Sequence, residues 1–262
     1  GLVAGKLTKS KQEGILQYLN AIRVAGGLPK FENNETNNNV AQHKATLLSY
    51  RIQELGLDID HTFEKPEGVT DSFYYTAMGA GQGYAENIGR TTNAMRGVIN
   101  RLLDDSSEYP QTFGHRLALL SSEYKYFGFG ISPYVAVNEF SDFQYVYEDC
   151  IEAWPSKGVT FMETLASPKF QWTARFVDKY TVQDTTTATI KCLNTGDTWK
   201  FTEQEKTNDR WFARSMNSIS ALNNKVIMYD SSIIVQPGYV YEITLHDLKE
   251  DETGKDVDYT YR

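Results

Sequence analysis

The sequence predicts an α/β protein whose second, smaller part is all β. Apolar residues recur every three or four positions through roughly the first 120 residues, then every second position after about Tyr145. The chain's 262 residues also exceed the usual span of one domain. The change of period divides the chain into 1–147 and 148–262, each long enough to bury its own core.

Taken in order, Ser10-Lys-Gln-Glu13 is a capping-box pattern ahead of Ile15, Leu16, Leu19 and Ile22 at helical spacing, and Gly26-Gly27 supplies the stop. Ala41, Ala45, Leu48, Ile52 and Leu55 form one face of a second helix that Gly56 ends. From Asp58 to Thr91 the chain reads as a long irregular segment containing Gly79-Ala-Gly81-Gln-Gly83, and segments of that length inside a domain are usually functional or mobile. As a phosphate cradle the glycine cluster fails, because no strand leads in and no Lys-Ser/Thr follows. Met95, Val98, Ile99, Leu102 and Leu103 make a third helix, and His115 opens a short fourth.

In the second half Tyr239, Tyr241, Ile243 and Leu245 alternate with Val240, Glu242, Thr244 and His246, as Val257, Tyr259 and Tyr261 do with Asp256, Asp258 and Thr260. Turns at Asn194-Thr-Gly196, Gln236-Pro-Gly238 and Asp251-Glu-Thr-Gly254 divide short strands, the signature of a small antiparallel sandwich. Trp154-Pro155-Ser-Lys-Gly158 reads as the hinge.

A net charge of −8, without a dense run of Lys or Arg, argues against binding nucleic acid or an anionic membrane surface. No stretch approaches the roughly 20 apolar residues of a spanning helix. The sequence opens at Gly1 with no methionine and no charged-then-apolar leader, the form left when a signal segment is removed or omitted, so export is permitted and not shown. Cys150 and Cys192 are too few for a disulfide-stapled scaffold. One bond between them competes with two buried thiols; the alternation Cys192, Ile190, Ala188 favours the thiols. Asn34-Glu-Thr36 fits a glycosylation sequon.

Chemistry concentrates on few residues. His43 falls on the helix face opposite Ala41 and Ala45, and His246 on the polar side of its strand, both read as solvated. His61 sits in a loop and His115 begins a helix behind a glycine, positions where functional side chains are presented. Glu86 in "AENIG" stands out because Glu rarely points inward unpaired, and Asp104-Asp105 close the third helix. There is no HExxH, no Gly-x-Ser-x-Gly elbow, and no histidine near either cysteine.

The segments "LNAIRVAGGLPKF", "DHTFEKPEG", "YAENIG" and "GHRLALLSSEYKYFGFG" occur in the order and spacing of the CAP superfamily (cysteine-rich secretory proteins, antigen 5, pathogenesis-related proteins; SCP domains), and resemble its bacterial secreted branch. The resemblance covers Ser10 to Phe140. It implies an N-terminal α/β/α sandwich of CAP type with a large groove lined by two histidines and two acids: His61, His115, Glu86 and, with Leu102 in place of the family's tryptophan, Asp105. The glycine before His115 would turn the backbone tightly and aim the ring into that groove. The β half resembles the immunoglobulin-like modules of some bacterial members. Imidazole and carboxylate together suit a divalent ion, zinc first, with an open coordination position. The expectation is a secreted or cell-surface binding protein for an extracellular ligand or protein. The alternative is a metal-dependent hydrolase in the same groove.

Overall fold

The computed structural model describes residues 1–79, 85–90, 95–105, 113–143, 151–165, 167–215 and 223–262. Cys150, the 147/148 boundary and most of the Gly79–Gly83 cluster lie outside the described residues. The first half contains α1 (Lys9–Ala25), β1 (Glu32–Asn33), α2 (Glu35–Leu55), α3 (Asp71–Ala77), β2 (Ala85–Arg90), α4 (Met95–Asp104), α5 (Gly114–Leu120), β3 (Tyr124–Ile131) and β4 (Val135–Phe143).

α1 begins two residues before the expected capping box: Thr8 is the N-cap and accepts from Lys11 N. Its stripe of Ile15, Leu19 and Ile22 is buried as the spacing requires, while Leu16 is only partly covered. α2 is capped by Asn34, whose side-chain oxygen accepts from Thr36 N and Asn37 N, and ends at Gly56 with φ +64°, the left-handed C-cap glycine adopts without strain. The sequon asparagine is therefore a helix cap. The segment read as irregular holds two elements, α3 with Thr70 as its N-cap and the strand β2, so Glu86 stands on a strand and not in a loop.

The first sheet has the order β1-β3-β4-β2, with β1 parallel to β3 and the other pairs antiparallel. Glycine decides how one face is covered. A Cβ on Gly128 would lie 2.3 Å from the Asn37 carbonyl carbon, and one on Gly130 2.2 Å from that of Ala41, so α2 lies directly on the strand backbone. Amides of α2 then reach the outer edge of β3: Phe129 N donates to Asn38 Oδ1 (3.0 Å), Ile131 N to Gln42 Oε1 (3.2 Å), and Gln42 Nε2 donates to Ile131 O (3.0 Å). On the opposite face Phe127, Phe129, Ala136 and Phe140 share a core with α1, α4 and α5, which completes an α/β/α arrangement.

The second half contains β5 (Ile151–Trp154), β6 (Trp172–Phe176), β7 (Tyr180–Thr181), β8 (Thr187–Cys192), β9 (Thr198–Phe201), β10 (Glu205–Lys206), β11 (Arg210–Ser215), β12 (Lys225–Asp230), β13 (Tyr241–Glu250) and β14 (Asp256–Tyr261). These form two antiparallel sheets, β10-β11-β12-β6-β5 and β14-β13-β8-β9, with β7 on β13. Ile243 and Leu245 point inward as the alternation predicts, while Tyr239 is exposed, outside the strand. Cys192 is a buried free thiol.

The expected hinge is firmly packed. Trp154 is buried, Ser156 abuts Gly26, Val159 N donates to Ala25 O (3.0 Å), and Gly158 N donates to Arg262 O (2.6 Å). One apolar cluster runs from Ile15 and Leu19 through Trp154 to Ile243 and Tyr261, so the halves share a continuous core. No helix among the described residues is long and apolar enough to cross a membrane.

Candidate functional site

β2 is the last strand in the order of its sheet, and beyond it lies a hollow of about 330 Å³. Ile59, Ile88, Val98 and Leu102 give it an apolar lining, and Asp58, Arg90, Arg101, Asp105 and His115 give it a polar one. Arg90 closes on Asp58 through Nε (3.0 Å) and Nη2 (2.8 Å), while Arg101 Nη1 donates to Arg90 O (2.7 Å). The bond from Ile59 N and the pairing with Arg90 hold the Asp58 carboxyl below the usual carboxylate range.

Of the four side chains singled out in the sequence, the fold makes two pairs. His115 Nδ1 donates to Asp105 Oδ1 at 2.9 Å, and the other oxygen, Oδ2, accepts from Arg116 N at 3.2 Å. His61 Nδ1 donates to Glu86 Oε1 at 2.9 Å. Only the first pair lines the hollow; His61 is exposed, and Glu86 points to the α2 side of β2. Among the described residues, no three His, Cys, Asp or Glu side chains surround a common point as a metal would need.

Two residues that motif reading did not single out complete the second pair. Lys44 on α2 is buried, donates to His61 O (2.6 Å) and stands 3.2 Å from Glu86 Oε1. Glu139, opposite Glu86 in the β2–β4 register, is also buried. Burial, then the Glu86 charge and a hydrogen bond with Glu86, push the Glu139 carboxyl up to about 10 against the pull of Lys44, so it holds a proton at neutral pH. Burial acts on Glu86 too, but the His61 bond and the Lys44 charge outweigh it and keep that carboxyl low. A signal existed for both. Lys44 falls on the apolar stripe of Ala41, Ala45 and Leu48, and Glu139 continues the inward row of Val135 and Val137.

The remaining histidines are less exposed to solvent than expected. The His43 ring lies 4.8 Å from that of Phe73, and His246 bonds Asp258 Oδ2 (2.8 Å) and Thr189 Oγ1 (3.1 Å).

Among curated proteins none matches the chain at a significant level. Among solved structures, an extracellular protein containing a SCP domain from Bacillus anthracis str. Ames is 19% identical with a TM-score of 0.36, over 52% of this chain and 44% of that one. An outer surface protein from Borrelia burgdorferi is 16% identical with a TM-score of 0.37, over 54% of this chain and 100% of that one. The match thus spans less than half the length of the Bacillus protein. A family model fits half of the sequence, residues 16–147, and by that match the chain belongs to the CAP, or cysteine-rich secretory protein, family.

Proposed function

We propose that this chain is a binding protein of the secreted branch of its family, and that the hollow beside β2 receives a small ligand or a peptide side chain. The observation that carries the reading is the composition of that hollow. Its volume of about 330 Å³ is at the small end of ligand pockets. Its apolar lining suits a hydrocarbon group, and Arg101 with the His115–Asp105 pair suits a hydrogen-bonding or anionic head. The secreted location follows the family description and is part of the proposal. The β half, two antiparallel sheets, we read as an immunoglobulin-like module.

A divalent ion, zinc first, is a second reading, favoured by one specific feature. Each imidazole gives its Nδ1 hydrogen to a carboxylate, the arrangement that orients metal-bound histidines and makes Nε2 the lone-pair nitrogen. On that geometry His61 and His115 would be the ligands and Glu86 and Asp105 their orienting partners. Direct ligation by Glu86 fits poorly, since the ion would share the carboxylate with a buried ammonium 3.2 Å away. A metal-dependent hydrolase would need the same ion to activate water.

Methyl NMR with octanoate, octylamine and octyl glucoside tests the leading reading. Shifts at Ile59, Ile88, Val98 and Leu102, strongest with octanoate, are expected; they should vanish in Gly89→Leu, whose side chain would fill the hollow. Failure of all three probes to move these methyls at millimolar concentration would sink it. Zinc titration of His61→Ala and His115→Ala decides the metal reading, and ester hydrolysis that persists in the double variant removes the enzyme.

A further inference from the structure

His115 and Asp105 stand in a stretch of backbone that needs outside support. Asp105, just past α4, has φ +48°, and Phe113, which opens α5, has φ +58° with no side-chain cap. Both are non-glycine residues in the left-handed region, a conformation that persists only where surroundings enforce it. α5 has seven residues, too few to hold its own shape.

Support comes from the β half at three points. At the start of α5, the Phe113 ring lies 5.8 Å from that of Trp211 on β11, and the two share a cluster with Leu117 and Ile227 of β12. Next to His115, the fully buried Arg116 guanidinium donates to Leu103 O and Asp104 O (2.6 Å each) at the end of α4. It also donates to Gln171 O (2.8 Å) and Thr173 Oγ1 (3.3 Å) at β6. After α5, Ser122 N and Oγ donate to Glu152 Oε1 (2.6 and 2.9 Å), while Arg175 on β6 bridges Glu152 (2.5 Å) and Glu123 (2.6 Å). The helix that carries His115 is therefore fastened to the β sheet before, beside and behind that residue.

We infer that the β half is a working part of the candidate site: Arg116 and Trp211 are positioning residues that hold the His115–Asp105 pair against the hollow. This rests on the proposal that the hollow is the ligand site. It gives the β half a part in shaping the site, because a change at β11 or β12 is transmitted to His115 through Phe113. His61, fastened by Lys44 from α2, has no such link among the described residues and serves as the internal control.

The test uses the whole chain at one fixed pH, with ring-nitrogen NMR of the imidazoles and octanoate as the probe of the hollow. Trp211→Ala should shift the His115 ring-nitrogen signals, leave those of His61 in place and weaken octanoate about two- to thirty-fold. Trp211→Phe should restore both. If Trp211→Ala does not fold, Ile227→Ala carries the same expectation with a smaller shift. An unchanged His115 ring in a folded variant overturns the inference, as do equal changes in both rings. If the wild-type hollow binds no probe, the binding proposal falls while the comparison of rings still decides this one.

Discussion

Replacing Glu139 with Gln should stabilise the protein, and more so as pH rises. The folded chain holds this carboxyl at about 10, against an ordinary 4.5. Between those values the native state binds a proton that the unfolded chain has released, so stability falls as pH increases. One pH unit is worth about 1.4 kcal/mol, and roughly 2.5 units separate 4.5 from neutrality, which bounds the cost at about 3–4 kcal/mol at pH 7. Glu86 acts oppositely: its depressed carboxyl contributes stability that is present at neutral pH and lost on acidification. Gln keeps a donor toward Glu86 and has no proton to lose. Urea unfolding of both proteins at pH 5, 6.5 and 8 should give similar stabilities at pH 5 and a variant ahead by about 1–3 kcal/mol at pH 8. A difference independent of pH would refute the protonated carboxyl, and a variant less stable at pH 8 would refute the pairing itself.

Gly130→Ala would drive a methyl group into the α2 backbone at Ala41, and overpacking of that kind should lower the melting temperature by about 5 °C or more. An unchanged melt would mean that α2 does not lie on the strand. Arg175→Met strands Glu152, whose carboxyl burial already raises, and should cost about 3–5 kcal/mol in denaturant unfolding at neutral pH. Adding Glu152→Gln should return much of that; no recovery would show that the loss is packing alone.

The helices of the first half were legible wherever an apolar stripe was long and a terminator sharp, as in α2 from Ala41 to Gly56. α3 is not legible because only Phe73 and Ala77 of its seven residues are buried, too few to display a period, and β2 is not because its row of Ala85, Asn87 and Gly89 has little apolar character. β2 is a strand because β4 pairs with it. The motifs picked out His61, Glu86, Asp105 and His115, yet not their grouping into pairs. That grouping depends on Lys44 and on Arg116, whose partners at Gln171 and Thr173 lie more than fifty residues away along the chain. Contacts of that separation leave no local period to read.

The amides of α2 along β3 have one more consequence. β1 covers only two residues of that margin, and a bare strand edge is where a second molecule can add its own strand and begin a fibril. Asn38 and Gln42 occupy the hydrogen-bonding sites an intruding chain would use at Phe129 and Ile131, so the helix acts as a permanent dummy strand. Self-templating growth from this side of the molecule is closed off by two carboxamides.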